Sequence, residues 1–487
     1  MTAAAMPASS TGASGIGLRS ERGPVLLALM LCTALVALDS TIIATAVPSI
    51  VAGIGGFAQF PWLFSIYLLA QAVTVPVYGK LNDLFGRKPV ILSGIALFGV
   101  GSVLCGLAWS MPVLIAFRLV QGLGAGAIQP TSMTIVGDLY SLSERAKVQG
   151  YLASVWGMAA VVGPTLGGAL SEYASWRWIF YVNVPLCLLA TVMLLRSFTE
   201  QVDRSRPEID YRGAATLTVG CAALILGVLE GGQSWPWLSV AGIAVPAAGA
   251  ALLIAFVMLE RRAASPVLPL WVFSRRLLLT SSLVAAGVGA IVLGLTSYVP
   301  TYVQDVLGTG PVVAGLALAT LTLGWPLAAA QAGRLYLRWG FRACALVGAA
   351  PLLLGCLLLL TLGTGSSVAQ VGAVCFLIGL GLGLIAAPTL IAAQSSVGWS
   401  ERGVVTGNNM FCRSAGSALG VAAFGAIANQ MLRADHSRIH LDLATRHVYL
   451  SVLVVALATV VAVAAMPRRD VPAPASPAGA ASDSSAE

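Results

Sequence analysis

Long uncharged runs of Leu, Val, Ala, Gly and Ile dominate this chain, and the charges are bunched in short segments between them. Many of these runs approach the ~20 residues that a helix needs to cross a ~30 Å hydrocarbon core. Charged residues make up 9% of the sequence and hydrophobic ones 58%, with a mean hydropathy of +0.89. A soluble domain carries about 25% charged residues, so this supply cannot build a water-facing surface. The alternating apolar and polar segments of a membrane β-barrel are absent, which leaves helices as the spanning solution. The expected fold class is an all-α polytopic membrane protein.

Apolar runs between polar punctuation predict fourteen spans, at about 24–48, 60–79, 89–109, 112–137, 148–170, 178–196, 213–230, 238–259, 277–304, 312–333, 343–362, 367–393, 403–430 and 448–466. The stretch up to Ser20 lacks the apolar core of a signal peptide, so the first run reads as a retained span. With the N-terminus inside, the inner segments collect Arg19, Arg22, Lys80, Arg87, Lys88, Arg145, Lys147 and Arg196. They also take Arg204, Arg206, Arg212, Arg261, Arg262, Arg275, Arg276, Arg334, Arg338, Arg342, Arg402, Arg468 and Arg469, against only Arg177, Arg433, Arg438 and Arg446 outside. That bias predicts both termini on the cytoplasmic side. It also accounts for the net charge of +8 without a nucleic-acid partner, because the bases sit in short interhelical loops.

An internal repeat organises the spans. Gly79-Lys-Leu-Asn-Asp-Leu-Phe-Gly-Arg-Lys88 follows the second span, and Gly333-Arg-Leu-Tyr-Leu-Arg-Trp-Gly-Phe-Arg342 follows the tenth, with Gly, a base, Leu, an aromatic, Gly and a base at matching offsets. The predicted organisation is a tail at 1–23, a six-helix bundle at 24–197, two extra spans with basic flanks at 198–276, a second six-helix bundle at 277–466 and a Pro-, Ala- and Ser-rich tail at 467–487. Parallel halves of this kind place a binding site near the midplane between them. Eight scattered cysteines without a Cys-x-x-Cys pair indicate buried thiols rather than disulfides or a zinc site. His436 and His440 are four apart and could face one metal, but no further ligand pattern supports that, and solvated loop histidines are expected.

Several motifs resemble a known family. Gly79–Lys88 resembles the loop between spans two and three of the major facilitator superfamily. Arg118-Leu-Val-Gln-Gly-Leu-Gly-Ala-Gly126 resembles its fourth-span motif, and Gly157-Met-Ala-Ala-Val-Val-Gly-Pro-Thr-Leu-Gly-Gly168 its fifth-span antiporter motif. Leu38-Asp-Ser-Thr-Ile-Ile-Ala-Thr-Ala-Val-Pro48 and Trp176-Arg-Trp-Ile-Phe-Tyr-Val-Asn-Val-Pro185 look like motifs of the fourteen-span drug:proton antiporter branch. The resemblance covers about residues 24–466. It implies a major facilitator fold of two six-helix bundles plus two central spans, and export driven by the proton gradient. It also implies a monomer that uses neither ATP nor a prosthetic group.

The candidate residues follow from where charge and small side chains sit. Asp39 lies about fifteen residues into an apolar span, where a carboxylate costs about 2.5–3.5 kcal/mol even on the lenient insertion scale. It is the leading proton-coupling candidate; a structural partner for a buried base is the other reading. Arg118 sits at a comparable depth from the outer end and is the candidate partner, or else a strut between spans. Arg413 is a second intramembrane base that could bind an anionic or polar substrate group, or reach a backbone carbonyl.

Gly79 and Gly86 allow tight turns, Arg87 and Lys88 fix orientation, Asp83 could cap a helix and Asp138 could pair with Arg87. The resemblance implies that this cluster latches the cytoplasmic side; topology determination alone is the plainer account. Gly157, Gly163, Pro164, Gly167 and Gly168 read as one small-residue face and a hinge, or as close packing only. Glu230 and Asp305, near outer span ends, are read as solvated interfacial carboxylates.

The function expected is proton-coupled export of small amphipathic or cationic compounds, of the multidrug type. A dedicated exporter of one metabolite or antibiotic and a non-transporting membrane sensor are the alternatives. No nucleophile–base pair, metal constellation or phosphate loop points to an enzyme.

Overall fold

The structure is a computed structural model that describes residues 20–56, 59–60, 62–200, 210–231, 235–236, 238–263, 266–432 and 438–468. Most of the two expected tails, the loop bases Arg204 and Arg206, and Arg433, His436 and Arg469 lie outside the described residues. Among the described residues every named element is helical.

The first half comprises α1 (Gly23–Ile54), α2 (Trp62–Phe85), α3 (Arg87–Gly106), α4 (Met111–Leu139), α5 (Leu142–Tyr173), α6 (Trp178–Tyr181) and α7 (Asn183–Ser197). Two helices follow, α8 (Tyr211–Glu230) and α9 (Val240–Glu260), then a short α10 (Trp271–Ser274). The second half holds α11 (Arg276–Thr301), α12 (Pro311–Trp339), α13 (Phe341–Leu359), α14 (Val368–Ser395), α15 (Arg402–Leu432) and α16 (Arg438–Ala464).

Among the described residues, twelve helices are long and apolar enough to cross a membrane. Helix α8 offers only a shorter apolar segment, Tyr211–Gly227, and α15, with its polar stretch around Asn408, Asn409 and Arg413, is outside the twelve. The expected span at 178–196 is divided at Val182 into α6 and α7. The span expected at 277–304 ends in a π-helical turn, Tyr302–Val306, a wider turn that fits beside Pro300. Most of the outer loop expected at 431–447 is helix instead, since α16 begins at Arg438.

Each half has its own apolar core. One is built from residues such as Leu29, Ile95, Phe98, Ile128 and Leu152, the other from Val288, Ile291, Leu352, Ile378 and Val452. Apolar burial cannot drive helix association in lipid, so close approach of small residues must do so. The seams between halves show this. A Cβ added to Gly79 of α2 would lie 2.7 Å from the Gly403 carbonyl oxygen of α15. One added to Gly333 of α12 would lie 2.8 Å from Ala146 Cβ of α5. Helices α8 and α9 pack on each other, and α8 rests on both α2 and α15; Leu217, Cys221 and Ile225 of α8 and Phe256 of α9 share one buried cluster there. Seven cysteines are buried and Cys412 is half-buried, all as free thiols.

Candidate functional site

Three groups of residues meet the description of a site: a sealed ion pair in the first half, a closed junction at the basic end, and an isolated arginine in the second half.

The ion pair joins α1 to α4. Arg118 Nη1 donates to Asp39 Oδ2 at 2.6 Å and to Gln121 Oε1 at 2.7 Å. Gln121, one turn along α4 and so on the same face, donates from Nε2 to Asp39 Oδ1 at 2.8 Å and to Ser102 Oγ of α3 at 2.8 Å. Asn183, at the α6–α7 break, adds a longer bond from Nδ2 to Asp39 Oδ1 at 3.3 Å. From α2, the Leu63 carbonyl accepts from Arg118 Nε at 3.1 Å, and the Tyr67 ring lies under the guanidinium at 4.2 Å. Asp39 and Arg118 are each 1% exposed, and Gln121 and Ser102 are fully buried. A buried pair is tolerated only when its remaining donors and lone pairs are satisfied, and five helices supply those partners here. Sequence reasoning named Asp39 and Arg118 but assigned no place to Gln121, Ser102 or Tyr67. The one available signal was the three-residue spacing of Arg118 and Gln121.

Small residues bring these helices together. A Cβ on Gly101 of α3 would stand 2.6 Å from the Gln121 backbone nitrogen. Gly163 and Gly167 of α5 receive α1, where Thr41 and Ile42 occupy the space their side chains would need. Thr41 Oγ1 also donates to the Ala159 carbonyl at 3.0 Å. The expected single small-residue face is corrected in part. Gly157 instead abuts Thr322 of α12 at 3.5 Å, and Gly168 meets nothing within 4 Å. At about 100° per residue, Gly157 and Gly168 turn away from the Gly163–Gly167 stripe. Pro164 lies inside the continuous helix α5 beside that stripe.

At the basic end, Asp83 of α2 caps α15. Its Oδ1 accepts from Gly403 N at 2.8 Å and its Oδ2 from Val404 N at 2.8 Å. A carboxylate on the free amides of a helix N-terminus makes charge-assisted bonds worth about 1.5–3 kcal/mol each. Arg87, with no exposed side-chain surface, donates from Nε to Asp138 Oδ2 at 2.8 Å and approaches Asp83 at 3.4 Å. It also donates to the Trp399 carbonyl at 2.6 Å and lies 3.7 Å over the Trp399 ring. Asp138 Oδ1 in turn accepts from Arg402 at 2.9 Å. Lys88 donates to the Leu195 carbonyl at 3.1 Å, at the end of α7. Glu200, unmarked by sequence reasoning, caps α3 by accepting from Arg87 N at 2.9 Å and Lys88 N at 2.8 Å. Arg145 of α5 crosses to Ser395 Oγ of α14 at 3.1 Å, and Gln394 Nε2 crosses back to the Met133 carbonyl at 3.2 Å. The two halves are thus joined tightly at this end.

Arg413 stands apart. Its guanidinium lies 5.0 Å from the Trp325 ring of α12, and among the described residues no carboxylate or hydrogen-bond acceptor reaches it. Of the lesser carboxylates, Asp305 is exposed but Glu230 is buried, so interfacial solvation describes only the former. His447 makes a 2.8 Å hydrogen bond between Nδ1 and the Leu443 carbonyl.

The comparisons with known proteins agree with this architecture. The chain is 34% identical over 403 residues to multidrug resistance protein 3 of Bacillus subtilis (strain 168), covering 83% of this chain and 79% of that one. It is 32% identical over 413 residues to the multidrug transporter protein MdtP of the same organism, covering 85% and 76%. The crystal structure of the human organic anion transporter MFSD10 matches with a TM-score of 0.65 over 91% of this chain and 99% of that one, at 17% identity, a likeness of fold alone. The family model described as Major Facilitator Superfamily matches residues 29–421. The chain therefore belongs to the major facilitator superfamily of membrane transporters.

Proposed function

We propose that this transporter is a proton-coupled secondary exporter of small amphipathic or cationic compounds, of the multidrug efflux type, working by alternating access. The observation that carries the reading is the buried Asp39–Arg118 pair inside the first half. A carboxylate there is stable as an ion only while Arg118, Gln121 and Asn183 hold it. Protonation removes the charge that Arg118 answers, and a neutral Asp39 gains an O–H donor. Asn183 Oδ1, buried and without a partner among the described residues, can take that donor after a flip of its amide. Two arrangements of one network, biased by one proton, are what a two-state helix bundle needs for coupling.

The closed basic end fits the conformation in which the cytoplasmic side is latched. In this reading α8 and α15 complete fourteen spans, arranged as six, two and six. Both termini and the basic loops lie in the cytoplasm, and the protein sits in the cell membrane. It works as a monomer in the lipid bilayer, with protons and a small-molecule substrate as its partners and no cofactor. The similarity to a multidrug resistance protein and a multidrug transporter supports this assignment.

The test is proton movement in inverted vesicles. Wild-type protein should dissipate an imposed proton gradient when substrate is added. Asp39→Asn should abolish that coupling, by more than tenfold, while the protein still inserts. Wild-type coupling in Asp39→Asn would remove the carboxyl from the mechanism.

A further inference from the structure

Two arginines set within apolar helices, Arg118 and Arg413, are treated in opposite ways. Arg118 is sealed and fully answered by its neighbours. Arg413 is half-buried, and its side-chain nitrogens keep some exposed surface with no partner among the described residues. It lies eleven residues into α15, about 16 Å along the axis, and Trp325 lies midway along α12. Both are therefore near the middle of the membrane.

The position of the pair is set by packing. Helices α11 and α14 each pack on both α12 and α15. Helix α12 also packs on α5, and α15 on α2, so both reach toward the first half. A guanidinium of α15 lying over a ring of α12 therefore bridges two helices of the second half that pack on the first.

Magnitudes decide whether the ring alone can hold this charge. A cation–π contact contributes about 0.5–2 kcal/mol, whereas a mid-membrane arginine costs at least about 2.5–3.5 kcal/mol. The ring leaves part of the cost standing, and among the described residues no carboxylate pairs with Arg413. Asp39, the carboxylate of the first half's interior, is committed to Arg118. The remaining stabilisation must enter from outside the chain, as water or as an anion.

We propose that Arg413 and Trp325 form a recognition site for an anionic group carried on a planar apolar body, such as an aromatic carboxylate or sulfonate. A guanidinium presents a fork of donors that a carboxylate accepts in pairs, and the indole provides a flat apolar surface beside it. The proposal rests on the transporter reading and specifies its amphipathic substrates: they include organic anions or zwitterions, and this position does not select a simple cation.

The experiment is equilibrium binding to purified full-length protein in nanodiscs, with 2-naphthoate, its neutral analogue 2-naphthylmethanol and its cationic analogue 2-naphthylmethylammonium. Wild type should bind the naphthoate at least tenfold more tightly than either analogue. Arg413→Gln should lose about ten- to hundredfold in naphthoate affinity, the loss of hydrogen bonds to a charged group, with little change for the alcohol. Arg413→Lys keeps the charge without the fork, and should recover only part of the loss. Should Arg413→Gln fail to fold, Trp325→Ala, which should weaken the naphthoate severalfold, and Arg413→Lys carry the test. Equal binding of all three probes by wild type, or naphthoate affinity unchanged in Arg413→Gln or in both remaining variants, would overturn the site. Because binding is measured without a proton gradient, this outcome is separable from the coupling result for Asp39→Asn.

Discussion

The segments 79–88 and 333–342 share a backbone and differ in chemistry. Gly86 (φ 90°, ψ 163°) and Gly340 (φ 85°, ψ 163°) turn the same corner, from α2 into α3 and from α12 into α13. Each segment opens with a glycine pressed against the opposite half, Gly79 on α15 and Gly333 on α5. The side chains then diverge. Asp83 corresponds to Leu337, and Arg87 to Phe341. The first junction is a knot of charge around Arg87, Asp83, Asp138 and Arg402. The second is aromatic: the Tyr336 and Phe341 rings stack at 4.8 Å, and the Tyr336 hydroxyl donates to the Leu142 carbonyl. The difference teaches that the repeated backbone sets where the halves touch, while the side chains decide which contact answers to charge.

Four substitutions would break or sharpen this contrast. The largest effect should come from Arg87→Ala, which leaves Asp83, Asp138 and Glu200 without their shared base. Removing one partner of a buried pair costs about 3–5 kcal/mol, so thermal stability and substrate-driven proton flux should both fall sharply. A melting temperature close to wild type would show that the knot is ornamental. Next, Gly86→Ala and Gly340→Ala should each cost about 1–2 kcal/mol, since an L side chain strains at positive φ. The two losses, read from denaturation midpoints in detergent, should match within experimental error. A clear inequality would mean that the corners are not equivalent in the folded protein. The smallest change belongs to Tyr336→Phe, which deletes one hydroxyl bond worth about 1 kcal/mol and keeps the ring stack. Its effect should be the same at low and high salt, because no ion is involved at the deleted bond.

Much of this architecture was legible in the residues themselves. Apolar runs marked the helices, and the repeated Gly–base–Leu pattern paired the halves. Asp39 and Arg118 stood out because charge in an apolar run has no cheap explanation. What escaped notice was the set of residues that answers them. Ser102 and Gln121 look like any other polar residue in a span. With apolar residues on every side, a membrane helix has no polar face to reveal which side points inward. The knot at the basic end draws on residues as far apart as Asp83 and Val404, and Glu200 joins it from the end of α7. Nothing local in such distant stretches announces that they meet. The division at Val182 did have a local sign, Pro185, which has no N–H to offer the Tyr181 carbonyl.

The enclosure of Asp39 has a consequence for the membrane as an electrical barrier. With 1% of its surface exposed and α1, α2, α3, α4 and α7 closed around it, the Asp39 carboxyl is shut off from water by the described residues in this conformation. An idle carrier in this state is an insulator. Under the proposed coupling, a proton crosses only when the helices rearrange, so leak current through protein-loaded bilayers should be limited by that rearrangement rather than by how fast a carboxyl can titrate.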